Sequence, residues 1–144
     1  MFGFVIISAG LLIIDLIAKK LAYVYLGMGR QIVLVPNVLH LSYVENTGAA
    51  FGLLRGMSWI LVAVAIFVCL YIVYMINADK CKSRWQYWGF IFLFAGAAGN
   101  LINRLFLGYV IDFLTLPYWP TFNFADIFIN IGVGCLLIYY LRTK

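Results

Sequence analysis

Charge is what this chain has least of. Of its 144 residues, 10% are Asp, Glu, Lys or Arg and 66% are apolar. A soluble domain is nearer a quarter charged and half apolar. The composition therefore excludes an ordinary soluble domain and indicates a membrane protein. The net charge of +5 is spread thinly, with no basic stripe of the kind a nucleic acid requires. There is one histidine, His40, in a β-prone segment. No Ser/His/Asp or Cys/His arrangement and no Gly-rich phosphate loop is visible. Cysteine is scarce too: Cys69, Cys81 and Cys135 are odd in number and form no CxxC, which argues against a disulfide framework or a zinc site. The first apolar run lacks a basic segment ahead of it and continues into Asp15 and Lys19. It reads as a membrane span, not as a cleaved signal peptide.

What is present is long apolar runs. A span needs about 20 such residues, and four candidates occur, at 2–18, 57–76, 88–107 and 124–141. The expected fold is an all-α membrane protein of one domain, 1–144, with four transmembrane helices. Between the first two lies an insert, 29–56, in which 32–35 and 38–44 are β-prone and Pro36-Asn37 signals a turn. It predicts a small β-sheet at the membrane surface.

Polar residues gather at the end of the first span, the end of the third and the start of the fourth. Four spans alternate direction, so these places share one side of the membrane. Helix ends are often polar, but Asp15, Arg104 and Asp126 are ionisable groups near hydrocarbon, where they are costly and usually functional. The direction of insertion is less plain. Lys80, Lys82, Arg84, Arg142 and Lys144 fall on one side, and Lys19, Lys20, Arg30, Arg55 and Arg104 on the other. Setting aside Lys19 and Arg104 as paired with acids favours cytoplasmic termini.

Asp112 and Asp126 flank the start of the fourth span. Two carboxylates held close share a proton, so one can activate a water while the other donates. That is aspartic-protease chemistry. A proton relay, or helix-capping duty for Asp126, remains open at this stage. Asp15 and Lys19, at i, i+4, fit a structural ion pair on one helix face. Glu45 reads as a solvated charge, and Asn46 as a donor to a peptide or a neighbouring segment.

Five segments, in order, resemble the motifs of the lipoprotein signal peptidase (signal peptidase II) family. DLIAK at 15–19 resembles DxxxK, NTGAAF at 46–51 resembles NxGAAF, and GNLINR at 99–104 resembles GNxxDR. GYVIDF at 108–113 resembles GxVxDF, and FNFAD at 122–126 resembles FNxAD. The resemblance implies an intramembrane aspartyl endopeptidase that cuts prolipoproteins before a cysteine bearing a diacylglyceryl group. It places the catalytic pair on Asp112 and Asp126. Asn46, Gly48, Asn100, Arg104, Asn123 and Ala125 fall on substrate-binding or site-supporting positions, and Asp15 and Lys19 on structural ones. It further implies an extracytoplasmic sheet, no cofactor or metal, and inhibition by cyclic peptides of the globomycin type. A monomer is expected in the bacterial cytoplasmic (inner) membrane, with cytoplasmic termini and the active site near the outer face.

Two departures stand out. Asn103 replaces the usual Asp of GNxxDR and is expected to leave Arg104 freer to pair with the two aspartates. Ile127-Phe128 replace small or hydroxyl residues beside Asp126 and bear on its packing. Two other readings are a small proton-coupled transporter subunit, which would spread ionisable groups through the membrane depth, and an inactive homologue that only binds lipoprotein.

Overall fold

The computed structural model describes residues 1–27, 29–48 and 56–143. Four long helices dominate: α1 (Phe2–Leu26), α2 (Ser58–Asn77), α3 (Arg84–Leu107) and α4 (Phe124–Arg142). Each is long and apolar enough to cross a membrane. Residues 49–51 of the NTGAAF segment, and Arg55, lie outside the described residues, as does Lys144. α1 runs eight residues beyond the expected span, past Asp15 and Lys19, so that both charges sit within it.

Helix ends follow local chemistry. Ser83 caps α3 by accepting the Gln86 backbone N–H at 3.2 Å, the usual way to satisfy a free first-turn donor. α3 stops at Gly108, whose φ of 82° is a left-handed conformation that suits glycine. Its N–H closes onto the Arg104 carbonyl at 3.1 Å.

The third helix is central and packs against the other three. Its contact with α4 is made through missing side chains. A Cβ on Gly96 would collide with the Ala125 carbonyl, and one on Gly132 would lie 2.7 Å from the Leu93 backbone nitrogen. Close backbone approach through small residues is how helices associate where lipid supplies no hydrophobic drive. α2 is the opposite case: Ile72 is its one buried residue among those described, so most of its apolar surface is left for lipid.

The expected sheet is present, and it takes a third strand from the other end of the chain. Strands β1 (Ile32–Val35) and β2 (Leu39–Asn46) form the insert's hairpin. β3 (Val110–Thr115), in the link between α3 and α4, pairs antiparallel with β2 to give the order β1-β2-β3. Between the pairs Leu41↔Leu114 and Val44↔Asp112 the register shifts by one residue, a bulge on β2. Ala22 and Leu26 of α1 bury against Ile111 and Phe113 of β3, so the sheet is seated on the end of the first helix.

Candidate active site

The route by which Asp112 and Asp126 meet begins with a chain reversal. After β3 the backbone turns and returns so that Phe122 bridges Leu114, with Leu114 N–H donating to Phe122 O at 2.8 Å and Phe122 N–H to Leu114 O at 3.0 Å. This sets Asn123 beside Asp112, two residues back from the bridge. Asn123 is also the N-cap of α4. Its side-chain oxygen accepts the Asp126 N–H at 3.0 Å, and the Asp126 Oδ2 accepts the Asn123 N–H at 3.2 Å, a reciprocal capping box. The helix-capping role is thus real, with Asn123 as the cap and Asp126 as its third-position partner.

The nitrogen of the same side chain reaches the carboxylate of Asp112. Asn123 Nδ2 donates to Asp112 Oδ1 at 2.6 Å, and Asn123 is fully buried. One side chain therefore holds both aspartates. Asn46, the last residue of β2, donates to the other oxygen of Asp112 at 2.8 Å. Asn100 on α3 donates to Asp126 Oδ1 at 2.9 Å. The three donors come from β2, α3 and the cap of α4, and all three are asparagines.

The orientation of Asn100 is set from below. Lys19 Nζ donates to its carbonyl oxygen at 2.9 Å, and Asn123 Nδ2 does so at 3.2 Å. Lys19 can only donate, so the Asn100 amide must turn its NH2 toward Asp126. Lys19 is itself held by Asp15 at 2.7 Å, and both are about fully buried. The second Asp15 oxygen accepts the Ala125 N–H at 2.9 Å. The expected structural pair exists, and it supports the carboxylates at one remove through Asn100 and Ala125. Gly99 makes room for it: a Cβ there would come within 2.5 Å of Asp15 Oδ2.

Asp112 lies on β3, outside the spans. Burial, and then the charge of Asp126, push its carboxyl up to about 7, against the opposing hydrogen bonds from Asn46 and Asn123. A carboxyl that can hold a proton near neutrality, beside a second carboxylate, is equipped for acid–base work.

Two expectations are corrected. Arg104 does not pair with an acid: its Nη2 donates to the Gly48 carbonyl at 2.9 Å, and the Asp15–Lys19 bridge is the ion pair found among the described residues. Gly48 in turn donates its N–H to Asn46 Oδ1 at 3.0 Å, so Arg104 braces the segment that carries Asn46. Asn103 faces elsewhere. It is buried, and its oxygen accepts the Ile111 N–H at 3.1 Å, fastening β3 to α3. That bond needs an acceptor and no charge, which an asparagine supplies. Phe128 packs its ring 6.1 Å from Phe92 and 6.5 Å from Phe124, while Ile127 lines the cavity described next. Glu45 is exposed, and His40 lies on β2, as expected.

A cavity of about 640 Å³ opens beside the carboxylates. Asn46, Asn100, Arg104, Asp112 and Asp126 form its polar end, and Leu61, Val64 and Val68 of α2 with Leu93 and Ala97 of α3 form its apolar wall. Asn130 of α4 also lines it, a residue that sequence reasoning passed over. The signal was available: an asparagine four residues after Asp126 in an otherwise apolar run.

The fold and the site define a four-span membrane protein with paired carboxylates at one end of an apolar cleft. The sequence model of the family described as Signal peptidase (SPase) II matches residues 7–142. The chain belongs to the signal peptidase II family. Among its relatives is a lipoprotein signal peptidase of Clostridium novyi, 37% identical over 136 residues, covering 91% of this chain and 92% of that one. Another, from Desulfitobacterium hafniense, is 42% identical over 130 residues and covers 89% and 85%. A solved bacterial membrane enzyme, determined by the in meso method, superposes with a TM-score of 0.91 at 28% identity and covers 99% of this chain and 89% of that one.

Proposed function

We propose that this protein removes the signal peptide from diacylglyceryl-modified prolipoproteins, using Asp112 and Asp126 as a proton-sharing catalytic pair. The observation that carries the reading is Asn123, which donates its side-chain NH2 to Asp112 Oδ1 and its backbone N–H to Asp126 Oδ2, with both carboxylates lining the apolar cleft. One carboxylate takes a proton from the attacking water as the other donates to the scissile amide. The proton belongs to the pair, and the burial of Asp112 raises that carboxyl's affinity for it. Asn46, Asn100 and Asn123 aim the carboxylates, and Arg104 and Gly48 hold the segment bearing Asn46. Ala125 fixes the start of α4 through Asp15.

The apolar wall between α2, α3 and α4 supports lateral substrate arrival from lipid. The chain acts as one domain and as a monomer in the bacterial inner membrane, with cytoplasmic termini and the sheet at the outer face. Cyclic peptides of the globomycin type are expected to occupy the same cleft.

The test is cleavage of a diacylglyceryl prolipoprotein by purified protein in nanodiscs. Asp112→Asn and Asp126→Asn should each reduce turnover by about a hundred-fold or more while leaving the protein folded. The rate should fall on the alkaline side with an apparent pKa near 7, where Asp112 gives up its proton. A flat profile from about pH 4 to 9, with chemistry rate-limiting, contradicts a shared proton.

A further inference from the structure

Asn130 stands four residues after Asp126 on α4. That spacing puts it on the same helix face, one turn and about 6 Å further into the span. Its side chain is exposed, and it lines the cleft together with Asp126, Ile127 and Ala97. It makes no hydrogen bond to any described residue, whereas Asn46, Asn100, Asn103 and Asn123 are all engaged. On a helix long and apolar enough to cross a membrane, an unpaired carboxamide is costly, so its partner belongs to what fills the cleft.

Given the substrate assigned above, on which this inference rests, the occupant has two parts. The apolar part of the signal peptide can satisfy its own backbone as a helix. The diacylglyceryl group cannot do the same, because its two ester carbonyls are acceptors with no donor of their own. The nearer ester is joined to the cysteine Cβ through the thioether sulfur, glyceryl carbons and an ester oxygen. That linkage is long enough to span one helical turn from the scissile bond. We infer that Asn130 is a specificity residue whose NH2 donates to an ester carbonyl of the substrate's diacylglyceryl group, while Val64, Val68 and Leu93 take the acyl chains.

The experiment compares two substrates that differ in one chemistry: a prolipoprotein carrying the diacylglyceryl ester, and its dialkyl ether analogue, which lacks the carbonyls. In Asn130→Leu, KM for the ester should rise about ten-fold, the size of one lost hydrogen bond, with kcat little changed. For the ether analogue, parent and variant should have the same KM. Asn130→Thr, which keeps a donor, should recover part of the ester preference. Equal loss on both substrates, or no loss on the ester, overturns the inference. Failure of the parent to cut either substrate sinks the peptidase reading itself and this inference with it.

Discussion

Asn123 does with one side chain what two would ordinarily share. Its oxygen and backbone serve Asp126 and its nitrogen serves Asp112. The proton affinity of Asp112 has a thermodynamic consequence. Its carboxyl is raised from the ordinary 3.8 to about 7, so the folded protein binds that proton more tightly than the unfolded chain. The stabilisation is complete below about pH 3.8 and is lost as the pH rises through about 7, a swing on the order of a few kcal/mol. The melting temperature should therefore fall between pH 4 and pH 8. In Asp126→Asn the like charge is gone, and the fall should be shallower. Identical slopes in parent and variant would remove Asp126 as a cause. The motif residues themselves were legible in the sequence. Their hydrogen bonds were not, because an asparagine's partner is set by the chain reversal at Phe122 and by Lys19 from another helix.

At the scale of the elements, the spans were readable because apolar length alone decides them. The third strand was not read, although Val110, Ile111, Phe113 and Thr115 are β-formers directly after the helix-ending Gly108. Its partner, β2, is more than 60 residues away in sequence, and no local pattern announces such a pairing. The expectation for Arg104 failed for a related reason: proximity to acids in sequence order did not reveal the nearer Gly48 carbonyl. The glycine seam between α3 and α4 gives a direct test. Gly132→Leu must displace the Leu93 backbone or the Gly89 carbonyl, 2.9 Å from the first added carbon. It should cost about 1–3 kcal/mol, read as a lower melting temperature, and should lower turnover because Asp126 rides on α4. Gly134→Ala, with nothing within 4 Å of the added carbon, should change neither. A seam tolerant of leucine would show that the two helices do not meet as described.

Across the whole molecule the ends of the bundle differ in character. At one end the sheet, the asparagines and the carboxylates are gathered. At the other, Arg84 and Arg142 lie 5.7 and 5.4 Å from the centre of the same Trp85 ring, near Lys80 and Lys82 in the α2–α3 link. The proposed orientation puts this basic end in the cytoplasm, as the positive-inside tendency favours. In a cysteine-free background, Arg30→Cys beside the sheet should react with a membrane-impermeant maleimide in intact protoplasts. Lys80→Cys should react only after permeabilisation. The reverse pattern would invert the protein and put the carboxylates on the cytoplasmic side.

The capping box that begins α4 is also the clasp between the two aspartates, and that identity reaches beyond the reaction. If the first turn of α4 frays, Asn123 releases both carboxylates together. On the proposed mechanism a damaged copy is then not a loose hydrolase adrift among other membrane proteins, because it loses its chemistry at the same moment as its shape. Here the helix that carries the second aspartate is also the safety catch.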